Sequence, residues 1–252
     1  MGYTGYDELV AEGLTTPFEG WDFGVFQGRY AEVGDADLPW NYLELVRERL
    51  APATSLLDLG TGGGEVLASL QPLPARTAAT EGFAPNVPVA RERLEPLGVE
   101  VAEVGEDDRL PFADAAFDLV VSRHESYDPA EVRRVLRPGG VFVTQQVGGG
   151  DLVEVNQALG APAHGYADWD LAAASGQLRA AGFTVDWQQE ARLPATFRDV
   201  GALVLFLRIT PWHVPDFTPD RYAERLRALH ATMVAGEPLR AHSHRFALVA
   251  RP

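Results

Sequence analysis

Leu56-Leu57-Asp58-Leu59-Gly60-Thr61-Gly62-Gly63-Gly64-Glu65 is an apolar run, broken by one carboxylate, that passes directly into a glycine-rich turn. A short apolar run bounded by glycine reads as a buried strand, and the glycines accept positive φ and let a ligand approach the main chain without Cβ obstruction. A turn of this kind that opens a helix can hold the pyrophosphate of a dinucleotide. Here Glu65 occupies the place of the third glycine in the dinucleotide fingerprint, which argues against an NAD(P) oxidoreductase. Asp58, just before the turn, instead suits a ligand that carries an ammonium group.

Outward from this turn, short apolar runs alternate with helix-like stretches, the pattern of parallel strands with crossover helices. Strands are predicted at 55–59, 76–80, 100–104, 117–122 and 141–146, with helices at 66–70, 87–97 and 129–136 between them. Beyond Gly150 the pattern predicts a helix near 171–181, a strand at 184–191, a helix at 197–207 and a last strand at 246–251. The expected fold is α/β: a Rossmann-like doubly wound sheet of about seven strands, mostly parallel with an antiparallel C-terminal strand, under a helical N-terminal cap. One domain, 1–252, is expected: cap 1–50, cofactor-binding core 51–150, and a C-terminal half 151–252 with a substrate-side insertion at 209–244. Helical spacing at 40–50 lies within the cap, whose aromatics, Trp21 and Trp40 among them, either pack it on the core or contact substrate.

The chain carries 36 acidic and 21 basic side chains, a formal net charge of −15, so a phosphate polymer meets mostly repulsion. Nucleic acid is therefore disfavoured as a partner. With no cysteine, disulfides, thiolate metal sites and Cys nucleophiles are excluded, and a cytoplasmic setting is expected. No apolar run approaches the roughly 20 residues needed to span a bilayer, so no membrane partner is expected. No metal site is assigned: His242-x-His244 is too short a signal, and a loop is expected there.

Glu81 follows the second strand 21 positions after Gly60, the spacing of a carboxylate that hydrogen-bonds ribose hydroxyls. Alone it reads as a solvated loop charge; beside Asp58 and the glycines, the ribose role prevails. Further along stand Gly105-Glu106-Asp107-Asp108-Arg109-Leu110-Pro111-Phe112, then Phe117-Asp118-Leu119-Val120-Val121, and finally Val135-Leu136-Arg137-Pro138-Gly139-Gly140-Val141-Phe142-Val143.

These four landmarks in this order resemble the class I S-adenosylmethionine-dependent methyltransferases, of the type 11 methyltransferase-domain kind, closely over about 50–150 and more loosely at the C-terminal strands. The resemblance implies S-adenosylmethionine as cofactor, with S-adenosylhomocysteine as product. It places Asp58, Gly60, Thr61, Gly62, Gly64 and Glu65 around the first turn and Glu81, Gly82 and Phe83 after the second strand. It also implies Glu106 or Asp107 at the adenine amino group and Ser122 at the end of the fourth strand.

In an open parallel sheet ligands bind beyond the carboxyl ends of the strands, which places 122–127 beside the acceptor. His124 is the candidate general base, since its ordinary pKa lies near neutrality, with Glu125 to orient it; a strand-end histidine satisfied by the backbone is the competing reading. Arg123 either clamps an acidic acceptor or forms a structural ion pair. Tyr127, Gln145, Gln146, Trp212 and His213 are candidates to line the acceptor pocket. The expected function is methyl transfer to an O, N or C nucleophile of a small-molecule metabolite, as in specialised metabolism. The alternatives are a macromolecular acceptor, rRNA or protein, and a cofactor-binding protein without methyl transfer. A homodimer is compatible with these features.

Overall fold

The structure, a computed structural model, describes residues 5–18, 23–32, 35–105 and 109–252. In chain order its first elements are α1 (Tyr6–Thr15), β1 (Tyr30–Glu32), α2 (Tyr42–Leu50), β2 (Ser55–Leu59), α3 (Glu65–Ala68), β3 (Arg76–Glu81), α4 (Val87–Leu94), β4 (Val99–Glu103) and β5 (Phe117–Arg123). There follow α5 (Pro129–Val135), β6 (Leu136–Val147), α6 (Val153–Leu159), α7 (Leu171–Ala180), β7 (Thr184–Phe197), α8 (Val200–Ile209), α9 (Ala223–Val234) and β8 (Leu239–Arg251). The chain divides into two compact units: Met1–Asp37 with Gly148–Trp169 and Arg192–His244, and Leu38–Val147 with Asp170–Ala191 and Arg245–Pro252.

The second unit contains the sheet that positions the glycine turn. Its hydrogen-bonded order is β7-β8-β6-β5-β2-β3-β4. The β2, β3, β4, β5 and β6 pairings are parallel, and β8 joins β6 antiparallel, Phe142 opposite Ala250 and Gln146 opposite Phe246. Every residue of β2 is buried, as a central parallel strand covered on both faces requires. Leu56, Leu119, Val121, Val143 and Val249 share one core with Val46 and Leu50 of α2, Leu67 of α3, and Ala90 and Leu94 of α4. Local signals start the helices: the side chains of Asn41, Asp128 and Asp170 accept first-turn N–H groups of α2, α5 and α7, satisfying donors that a helix start leaves orphaned.

In the first unit, α1 and α8 approach closely because both faces carry glycine. A Cβ on Gly13 would meet the Gly201 carbonyl oxygen at 2.5 Å, and one on Gly201 would meet the Leu9 carbonyl oxygen at 2.8 Å. Asp199 caps α8 through Ala202 N–H and takes the Arg29 guanidinium at 2.8 Å by both oxygens. β1 pairs antiparallel with the far part of β7, Tyr30 opposite Phe197, which makes the described sheet order eight-stranded, β1-β7-β8-β6-β5-β2-β3-β4.

The mixed α/β sheet follows the sequence expectation, while several boundaries differ. β1 is the strand beyond the expected seven. β7 runs to Phe197 and β8 starts at Leu239, both longer than expected, because their outer parts alternate polar and apolar residues and lack a continuous apolar run. The predicted helix at 197–207 starts later, after the Asp199 cap, and runs to Ile209. The stretch 209–244 contains α9 and the start of β8, so His242 and His244 lie on a strand where a loop was expected. The residues expected to form one domain group into two units, and α2, expected in the cap, packs in the core of the second. No helix among the described residues is long and apolar enough to cross a membrane, and none of their His, Asp and Glu side chains form a group that could hold a metal ion.

At the opposite end of the sheet from the glycine turn, Asp118 ties β5 to the start of β2. One of its oxygens accepts Thr54 N–H at 2.7 Å, Thr54 Oγ1 at 2.6 Å and Ser55 N–H at 3.0 Å, and the carboxylate pairs with Arg137. Replacing Asp118 by Ala strands buried donors, and chemical denaturation of Asp118→Ala should show a loss of about 3 kcal/mol.

Candidate functional site

The site forms where β2, β3 and β5 end together. The strand register sets Asp58 beside Ala79 and Val121, and Leu59 beside Ser122, so the segments that follow these strands emerge along one edge. The turn after β2 is clamped to β3 by Thr80, whose hydroxyl accepts Gly60 N–H at 3.2 Å and whose carbonyl accepts Thr61 N–H at 2.9 Å. Next to Thr80, Glu81 is buried and its Oε1 accepts Phe83 N–H at 2.8 Å. A crevice at this edge is lined by Leu59, Gly60, Thr80, Gly82, Val104, Gly105, Leu110, the segment 125–128, Glu131 and Val132.

The turn's glycines serve three different ends. Gly60 has φ +64°, and a Cβ there would lie 2.2 Å from Cγ of Glu125, whose side chain rests against the turn. Gly64 (φ +82°) leaves room for Leu94, which a Cβ would meet at 2.7 Å. Gly62, with φ +61°, faces nothing within 4 Å and keeps the main chain accessible.

Asp58 is buried below this turn. Burial, reinforced by the charge of Glu81, pushes its carboxyl up to about 7, while the Thr61 hydroxyl and the Arg123 guanidinium pull the other way. Tyr42 is raised well above the ordinary phenol range, by burial first and then by Asp58.

The segment after β5 is built around an unusual backbone. His124 has φ +62°, a left-handed conformation costly for a side-chain-bearing residue, and its N–H donates to Gln145 O at 2.8 Å. The Glu125 carbonyl accepts Ser122 Oγ at 3.1 Å and Gln146 Nε2 at 2.9 Å; both donors are buried, and together they aim the Glu125 side chain at Gly60. On the far side of the crevice Arg134 gathers Leu110 O, Phe112 O and Glu131, so the described part of the 109–114 loop is pinned to α5. Hydrogen bonding from Arg134 holds the Glu131 carboxyl below its usual range.

Comparison with known proteins fits this geometry. Residues 57–144 match the family model of a methyltransferase domain. Over 126 residues the chain is 32% identical to a ribosomal protein L11 methyltransferase of Desulfosudis oleivorans, covering 46% of this chain and 40% of that protein, so it spans well under two thirds of that relative. Among solved structures, a protein of unknown function from Deinococcus radiodurans superposes with TM-score 0.61 at 18% identity, over 98% of both chains. A candidate methyltransferase of Bacillus halodurans gives 0.59 at 19% identity, over 83% of this chain and 97% of the other. Residues 57–144, about a third of the chain, are thus similar to a methyltransferase domain.

The cofactor of such methyltransferases, S-adenosylmethionine, is a cationic amino acid joined to a nucleoside, and the residues fit it. Gly62 leaves backbone accessible, and Asp58, in β2 just before the turn, and Glu81, at the end of β3, are buried carboxylates. Of the residues singled out in the sequence, the crevice gathers Gly60, Gly82, Glu125 and Tyr127, with Asp58 in β2, Glu81 at the end of β3 and Phe83 two residues beyond it. Phe83 is 62% exposed. Glu106, Asp107 and Trp21 lie outside the described residues.

Several assigned side chains are engaged in holding structure. Glu65 pairs with Arg93 on the surface, Ser122 and Gln146 support the Glu125 carbonyl, and the indole of Trp40 donates to Gln145 Oε1 at 2.8 Å. Trp212 and His213 belong to the first unit. Trp212 is half exposed; His213 is buried against Phe206, its Nε2 3.3 Å from Leu152 O, and burial pushes its imidazole down to about 4. Thr80 was missed, although a hydroxyl residue one place before a strand-end carboxylate was a legible signal. Asp128 and Glu131 were missed because in sequence they read only as the start of α5.

Two outcomes follow. Asp58 has a folded pKa raised above that of the unfolded chain, so its contribution favours folding below pH ~4 and is lost as pH rises through about 7. Melting temperatures of wild type and Asp58→Asn from pH 4 to 8 should therefore diverge, the wild type losing relative stability towards pH 8. Gly60→Ala should destabilise by about 1–3 kcal/mol, and Glu125→Ala in the same chain should recover the steric part, leaving the positive-φ cost; additive losses in that double-mutant cycle would refute the contact.

Proposed function

We propose that this protein is an S-adenosylmethionine-dependent methyltransferase that modifies an O, N or C nucleophile of a small molecule. The observation that carries the reading is the burial of two carboxylates, Asp58 in β2 and Glu81 at the end of β3, next to a turn whose Gly62 faces open space. A buried carboxylate is costly to ionise unless a cation or hydrogen-bond donors meet it, and an amino-acid-bearing nucleoside brings an ammonium group and ribose hydroxyls. In this reading Asp58 takes the ammonium side, the outer oxygen of Glu81 takes a ribose hydroxyl, and Glu106 or Asp107 meets the adenine amino group. Leu110 would flank the base.

When bound, the cofactor supplies an electrophilic methyl on a sulfonium. Transfer is an in-line displacement in which positive charge disappears, so the protein's share is alignment and exclusion of water. In this reading Arg123, at the end of β5, and His124, Glu125 and Tyr127, just beyond it, would contact the acceptor. Trp40 and Gln146 are proposed further contributors to the substrate side. The small-acceptor preference is supported by the net charge of −15 and by the carboxylates of Glu125, Asp128 and Glu131 at the crevice, which oppose a polyphosphate backbone. The absence of cysteine supports a cytoplasmic setting.

A protein acceptor is the second reading, favoured by the match to a ribosomal protein L11 methyltransferase.

Calorimetry with S-adenosylmethionine and S-adenosylhomocysteine, followed by incubation of extracts with methyl-labelled cofactor, tests both. Saturable binding of both ligands with label in the low-molecular-weight fraction is expected. Label confined to protein would favour the second reading, and absence of binding would remove both.

A further inference from the structure

The hydrogen-bonded chain from Trp40 through Gln145 to His124 carries chemical information that the fold does not require. An indole N–H can only donate, and Trp40 Nε1 lies 2.8 Å from Gln145 Oε1. Both groups are buried, Gln145 completely. The reversed amide would set two donors against each other, so Gln145 presents its NH₂ on the other side. There its Nε2 stands 3.2 Å from His124 Nε2. An amide NH₂ has no lone pair to offer, so His124 Nε2 must accept, and the imidazole proton resides on Nδ1.

The backbone reinforces this placement. His124 N–H donates to Gln145 O, and the left-handed turn at His124 fixes the direction in which the ring leaves β5. Among the described residues nothing takes the Nδ1–H. The cation form is disfavoured from three sides: protonation would set Nε2–H against the Gln145 amide, and Arg123 and Arg245 add positive charge. His124 is exposed, so solvent weakens the burial that heads the causes of its lowered pKa, while Arg123 and Arg245 push in the same direction.

We infer that Trp40 and Gln145 are positioning residues that lock His124 as a neutral Nδ1–H donor, so that it binds a carbonyl or oxyanion oxygen of the acceptor instead of withdrawing a proton from it. The functional half rests on the methyltransferase reading; the tautomer does not. It replaces the general-base role expected from sequence, because the lone pair a base would use is already engaged. It also narrows the acceptor to molecules with a carboxylate, enolate, phenolate or carbonyl oxygen beside the reacting atom, nucleophiles that need no proton removed by this histidine.

Long-range ¹⁵N–¹H correlation spectra of the full chain at pH 7, with His124 assigned by its loss in His124→Gln, read the tautomer directly. The expected pattern is a protonated Nδ1 and an unprotonated Nε2. In Gln145→Glu the carboxylate accepts from both Trp40 and His124, and the pattern should invert to Nε2–H; in Trp40→Phe the amide is released and both tautomers should appear. An Nε2–H tautomer in the wild type, or a pattern unchanged in Gln145→Glu, overturns the lock. With S-adenosylhomocysteine present, titration with benzoate should shift the His124 Nδ1 resonance saturably, and no shift would overturn the donor role. Failure of S-adenosylhomocysteine to bind would instead remove the methyltransferase reading and leave the tautomer standing.

Discussion

The clamp of Thr80 on the turn after β2 is the constraint from which the site follows. A single residue of β3 receives the N–H groups of Gly60 and Thr61, one through its hydroxyl and one through its carbonyl. These donors leave the strand ladder where β2 ends, and buried main-chain donors without acceptors are rarely tolerated. Satisfying them from Thr80 fixes the turn in register with β3, and therefore with Glu81, the next residue. The turn that follows Asp58 is thus tied to the residue that precedes Glu81 by two hydrogen bonds.

Much of the core was legible because β2 and β5 are buried along almost their whole length and read as apolar runs. The glycine turn and Glu81 were visible because each has a local chemical signature. The outer parts of β7 and β8 were hidden because their alternation of exposed and buried residues offers no uninterrupted apolar run, and β1 has three residues, too few to show a period. The interleaving of two units was equally hidden, since it is decided by contacts between distant segments. In the site, sequence reasoning named Gln146, Ser122 and His124 as ligand-facing; it could not foresee that hydrogen bonds would commit the first two to the Glu125 carbonyl and engage one nitrogen of the third.

The glycines illustrate how one motif can answer several demands. Only Gly62 leaves space of the kind a ligand needs, while Gly60 and Gly64 yield theirs to Glu125 and Leu94. The methyltransferase signature in this chain is therefore partly a packing signature, and substitutions along it should not behave as equivalents.

β8 enters the sheet between β6 and β7, although it is built from residues 239–251. As the chain emerges from the ribosome, β6 waits with an open edge for about a hundred residues until its antiparallel neighbour is made. Strand pairings between segments far apart in sequence are slow to form and vulnerable to wrong pairing in the interval. The nascent polypeptide thus has a long window in which an uncapped strand edge is available to chaperones or to another copy of itself, and that window closes only when the Phe246-Ala247-Leu248-Val249-Ala250 run docks.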